Sequence, residues 1–181
     1  MIIAEQLRTT NRAEYLLYLW QVESIVRAYG ADFDKLRDGY LQRFAAEGEQ
    51  RVALEEWYRN LCRMMHEEGK LEAGHLQVFE TVFLSLDDLH RHLLNAPQYQ
   101  DYTQAYYKAL PFIVELRAKD PDKSKSELRT CFELLYGLML LRLQQKEVST
   151  DTQMAAQDIS QMLALLSKYY FRDKAGELKW E

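Results

Sequence analysis

NRAEYLLYLWQVESIVRAYG, residues Asn11–Gly30, decides the fold. Asn11 with Glu14 three residues later has the form of a capping box, and Gly30 is a good residue to close a helix. A start further back, at Ile2, is open, but Asn11 is the cleaner one. Between the two ends lies the unbroken apolar and aromatic run Tyr15-Leu16-Leu17-Tyr18-Leu19-Trp20. The stripe Leu16–Trp20–Glu23–Arg27 climbs one helix face, so a carboxylate sits one turn beyond a tryptophan. An unpaired charge on a buried face is costly, and Arg27 at i+4 is placed to partner Glu23. Two readings stay open: an ordinary helix ion pair, or the polar lining of a pocket capped by Trp20.

The rest of the chain repeats this helical grammar. Asp32 caps a second segment over Phe33–Ala46 that ends by Gly48, with Gly39 weakening it. A third helix covers Glu49–Glu68, with Leu54, Trp57, Leu61 and Met64 or Met65 on one face. A fourth begins at Leu71 or His75 and runs to Asn95, carrying Leu76, Phe79, Val82, Phe83, Leu86, Leu89 and Leu93. The fifth starts near Gln98 and stops before Asp120-Pro121. Pro111 within it predicts a kink or a break, because proline removes an amide donor and clashes with the preceding turn. Ser124-x-x-Glu127 predicts the start of a sixth helix that is apolar around most of its circumference, as a central element should be. A seventh starts near Thr150. The reading is therefore all-α, an irregular bundle of about seven helices in one domain over residues 1–181, with the first and sixth most buried. The turn at 120–124 is the best place for a subdomain boundary.

Composition agrees. The 181 residues are 48% hydrophobic and 12% aromatic, with only seven glycines and three prolines, which favours long helices over a turn-rich β protein. The formal charge of −5 and the lack of a basic stripe argue against nucleic acid, whose affinity is dominated by phosphate contacts. The longest strongly apolar stretch, Cys131–Leu143, falls short of the roughly 20 residues a membrane span needs. The opening MIIAEQLRTT lacks the pattern of a signal peptide. Cys62 and Cys131 read as reduced core residues. Together these predict a cytoplasmic address and no membrane.

Candidate chemistry is sparse. Glu72 with His75, and Asp87 with His90, have the i, i+3 spacing used by metal sites in helical bundles. Glu72 and His75 flank Gly74 at a helix start, a poor platform, and Asp87 lies towards the polar side, so half-buried histidines on a solvated acidic face are the plainer account. Cys62 and His66, one turn apart, are the one pair that could make a thiolate. Neither a Gly-x-Ser-x-Gly elbow nor a phosphate-cradling glycine loop occurs. Tyr99, Tyr102, Tyr106 and Tyr107 offer either an aromatic binding face or the edge of a core that continues into Leu110 and Ile113.

The run Ala13-Glu14-Tyr15-Leu16-Leu17-Tyr18, with Trp20-Gln21-Val22-Glu23, resembles an uncharacterised family of Bacteroidetes proteins of similar length, a domain of unknown function. The resemblance implies a bacterial cytosolic helical protein and brings no activity, ligand or catalytic residue. The expectation is a non-enzymatic protein acting through protein–protein interaction or self-association, as a homo-oligomer and without a cofactor. The alternative is a small-molecule-binding protein whose site gathers Trp20, Glu23, Arg27, Tyr102 and Tyr106. A metal-dependent helical enzyme using His66, His75 and His90 is a third reading.

Overall fold

A computed structural model describes residues 2–180. Among them are eight α-helices, one 3₁₀ turn and no strand: α1 Ile2–Thr10, α2 Arg12–Ala28, α3 Phe33–Gly39, the 3₁₀ turn Leu41–Arg43, α4 Gly48–Glu67, α5 Gln77–Leu94, α6 Gln100–Lys119, α7 Glu127–Leu143 and α8 Thr150–Lys174. The all-α expectation holds, with one helix more than the reading gave.

The extra helix explains the break at Asn11. The Asn11 N–H donates to Leu7 O at 2.9 Å and so still belongs to α1. Its side chain meanwhile accepts from the Glu14 N–H at 3.2 Å and starts α2. The reciprocal half of the capping box therefore has no donor left to bond, and Glu14 points into solvent. Ser167 of α8 takes the next two amides, those of Arg12 and Ala13. At the other end, Gly30 adopts φ 67° and Ala31 φ 53°, a left-handed pair that turns the chain sharply towards α3.

The second segment is shorter than its periodicity suggested. It stops at Gly39, where an added Cβ would lie 2.6 Å from Tyr29 Cε1. The chain can pass that ring only without a side chain. It then drops into the 3₁₀ turn, which buries Leu41 completely. Pro111 produces no break: α6 is helical through it. Pro111 is on the exposed face, where the carbonyl it leaves unpaired meets water.

Helix α2 packs against α4, α5, α7 and α8, and α6 lies along α8. One apolar core runs from Ala13 through Leu16, Trp20, Met65, Leu86, Phe132 and Ile159 to Leu178. Its every-third-or-fourth positions on α5, Phe79, Val82, Phe83, Leu86, Leu89 and Leu93, are buried as the spacing required. The expectation for α7 needs correcting. Its first half buries Leu128, Cys131 and Phe132, but Leu134–Leu141 are mostly half-buried and Leu143 is 64% exposed. Its cap is Ser126, which accepts from the Arg129 N–H at 3.2 Å. Ser124 instead donates to Asp122 Oδ1 at 2.6 Å within the preceding turn. No helix is long and apolar enough to cross a membrane among the described residues.

Candidate functional site

The carboxylate beyond Trp20 is buried, with Glu23 only 1% exposed. Its partner is not Arg27. Glu23 Oε1 accepts the Leu76 N–H at 2.6 Å, and Oε2 accepts from His75 Nδ1, also at 2.6 Å. Both come from the segment that leads into α5, where backbone amides are unpaired and the helix dipole favours negative charge. A second carboxylate, Glu68 Oε2, takes the neighbouring Gln77 N–H at 2.7 Å. Two glutamates thus satisfy the start of α5. Arg27 holds the same segment from below, donating from Nε to Lys70 O at 3.2 Å and from Nη2 to Gly74 O at 2.8 Å.

Trp20 lies beneath this junction. His75 stacks on its indole, with centroids 4.2 Å apart and planes 13° from parallel. Phe132 and Tyr136 meet it edge-on. The Arg129 guanidinium sits 3.7 Å from the Phe83 centroid and 5.4 Å from that of Trp20, and pairs with Glu80. Tyr136 donates to Trp20 O at 3.2 Å and bonds Ser24. The arrangement is dense. What it does chemically is fix a loop: Glu23 orients His75, His75 covers Trp20, and α5 starts where Glu23 accepts.

A second polar cluster joins α5, α6 and α7. The fully buried Tyr102 hydroxyl donates to His90 Nδ1 at 2.5 Å. Burial pulls His90 below its ordinary range, which keeps the ring neutral and able to accept, and pushes Tyr102 well up. Asp87 accepts from Ser126 Oγ at 2.8 Å and pairs with Arg91 at 3.2 Å. Tyr106 donates to Glu127 Oε2 at 2.6 Å. Tyr102 and Tyr106 are therefore brought together around His90, but apart from the Trp20–Glu23–Arg27 group, whose hydrogen bonds run to the segment at 70–76. The tyrosine helix turns a buried edge to α8 through Tyr99, Tyr102 and Tyr169.

The remaining candidates are dispersed. His66 and Glu72 are exposed. Cys62 is buried, and burial pushes its thiol up to about 11; Cys131 is pushed up to about 12. Thiols raised in this way are poor nucleophiles. Among the described residues no group of three or more His, Cys, Asp or Glu is placed to hold a metal ion.

Open space lies elsewhere. A groove of about 550 Å³ runs between α7 and α8, lined by Leu135, Leu138, Met139 and Leu143 on one wall and by Gln153, Ala156, Gln157 and Ser160 on the other, with Arg142 at its edge. A smaller cavity of about 300 Å³ sits under Trp180, against His92 and Tyr170. Neither is lined by Trp20, Glu23, Arg27, Tyr102 or Tyr106. Sequence reasoning passed over the groove, although its signal was present: α7 carries apolar residues on more of its circumference than one packed side requires.

Residues 1–177 match the family model described as Domain of unknown function (DUF4924), and the chain belongs to that family. No curated protein and no solved structure matches it.

Proposed function

We propose that this is a non-enzymatic helical protein that acts by binding another protein surface through the α7–α8 end of the bundle. The observation that carries the reading is the state of α7 beyond Phe132. Leu134 to Leu141 contains no charged residue, yet those residues stay mostly half-buried, and Leu143 is 64% exposed beside the open groove. Met154 on α8 is 54% exposed at the same end. The Lys108–Asp158 bridge of 2.7 Å sets the second half of α6 alongside, with Tyr107, Pro111 and Val114 outward on one stripe. Apolar surface gathered in this way is expensive to leave in water, and contiguous patches mark interaction sites.

Three of the buried polar side chains support the same conclusion. Glu23, His90 and Tyr102 are each satisfied by neighbours within the fold, an arrangement that specifies a structure more readily than it turns over a substrate. The ligand-site alternative at Trp20 has one observation in its favour, the buried indole N–H without a hydrogen-bond partner, but Trp20 is 1% exposed beneath His75 and lines neither the groove nor the smaller cavity.

The test is site-specific photo-crosslinking in cells, with a benzophenone side chain installed at position 139 or 143 and, as a control, at the exposed position 52 on α4. The expected result is an adduct of defined mass from 139 and 143 and none from 52. Equal labelling at all three positions, or none at 139 and 143, overturns the proposal.

A further inference from the structure

We infer that the occupant of the α7–α8 groove is the same groove on a second copy of this chain, packed across a two-fold axis. The inference rests on the interaction reading above and supplies its partner. A two-fold interface places a patch against itself, so the patch must tolerate its own charges and satisfy its own polar groups. Apart from Arg142, this patch meets both conditions. On α8 the outward residues Gln153, Gln157, Ser160, Gln161 and Ala164 are all exposed and none is charged, over more than three turns. On α7 the facing wall is Leu135, Leu138, Met139 and Leu143. Arg142 is the one charged side chain lining the groove. Amides and hydroxyls both donate and accept, so a glutamine can bond its symmetry copy, whereas a lysine or glutamate there would repel its own. Elsewhere the protein's outer helix faces are rich in charge, as the exposed ion pairs Arg37–Asp34, Arg63–Glu67 and Lys119–Glu115 illustrate. Loss of charge along an exposed helix face is the compositional mark of the centre of an interface.

The shape fits as well. Leu143 stands out, 64% exposed, on the rim of a groove lined across from it by the small residues Ala156 and Ser160. A two-fold seats the rim of each copy in the groove of the other. The axis passes near Gln157, midway along the uncharged α8 strip.

The size of the patch sets the strength. Eleven residues of rise along α8 span about 17 Å, and two adjacent helices are about 20 Å wide, giving roughly 340 Å² in projection. Even doubled for surface relief, that stays below the ~800 Å² per partner of a standard stable interface. A patch of that size belongs with weak, reversible associations, for which a dissociation constant on the order of micromolar is expected.

The experiment is sedimentation velocity with light scattering on the purified full chain from about 1 to 500 µM, a range that brackets a micromolar equilibrium. Wild type shifts from monomer to dimer across the range. Leu143→Glu, on an exposed side chain the fold does not need, raises the dissociation constant at least about ten-fold. Gln157→Glu and Gln157→Lys each remain monomeric alone, and their equimolar mixture regains dimer. A wild type that stays monomeric throughout, a Leu143→Glu dimer as tight as wild type, or charge variants that self-associate unchanged would each overturn the inference. A monomer in solution that still crosslinks from position 143 to a different protein in cells removes the second copy and leaves the interaction reading standing. Absence of both results removes both.

Discussion

Replacing Glu23 by alanine tests whether this buried carboxylate is structural. In the fold it accepts two hydrogen bonds, from Leu76 N–H and His75 Nδ1, each at 2.6 Å. Removing it strands the buried Leu76 donor, at a cost of about 1–3 kcal/mol, and deletes a charge-assisted bond worth about 1.5–3 kcal/mol. The sum agrees with the ~3–5 kcal/mol typical of breaking a buried polar pair from one side. For a chain of this size each kcal/mol moves the melting temperature by about 2–4 °C, so the Glu23→Ala midpoint should fall by roughly 10 °C. Glu23→Gln keeps an acceptor for Leu76 and should lose about 1–2 kcal/mol, a few degrees. The assay is thermal unfolding by circular dichroism, with hydrogen exchange followed in residues 70–80, where the loss of protection should concentrate. A group held in place for binding behaves in the opposite way, since its removal relieves strain and commonly stabilises the fold. An alanine variant that melts at or above the wild-type temperature would refute the structural account of Glu23.

Three further outcomes follow from the same geometry. Burial holds His90 below the ordinary histidine range, so the unfolded chain binds a proton that the folded chain resists; His90 therefore contributes full stability above the ordinary pKa of about 6.5 and loses it as the pH falls towards the folded value. Melting temperatures between pH 7.5 and 5 should show this fall, and His90→Asn should flatten it relative to wild type. Cys62 and Cys131, with thiols pushed up to about 11 and about 12, should react with a thiol reagent at pH 8 only as fast as the protein opens; rapid labelling of either in the native state would contradict their burial. Tyr99→Phe removes the hydroxyl that donates to Lys179 O at 3.0 Å and accepts from Lys179 N at 2.9 Å; exchange protection should be lost at the Lys179 amide with little change, under about 1 kcal/mol, in global stability.

Local signals in the sequence were sound where one residue decides the structure. Asn11 and Asp32 cap helices through their side chains, and Gly30 takes the left-handed conformation its position demanded. The core stripe of α5 was legible because period-3.6 burial involves one helix at a time. What failed needed distant partners or a choice between equals. Ser124 and Ser126 both precede a plausible helix start, and Ser124 was lost to Asp122, which holds it in the turn. Arg27 was the nearest cation to Glu23 in sequence, but the partner used is His75, 52 residues away, because α2 packs against α5. The apolar circumference of α7 suggests central burial. Composition measures what a helix could bury, not whether neighbours arrive to cover it, and beyond Phe132 the neighbours fall short.

Ser167 gives the chain a constraint in time. Its hydroxyl receives the first two amides of α2, Arg12 and Ala13, across separations of 155 and 154 residues. A ribosome adding about 5–20 residues per second needs roughly 8–30 s to make that stretch. Throughout that interval α2, with Leu16 and Trp20 on its inner face, has emerged without the helix that finishes its start. The earliest core element is thus completed by one of the latest, and the nascent chain must carry an apolar, aromatic-rich helix unfinished until α8 appears. Strong local capping by Asn11 gives α2 a means of holding its form while it waits.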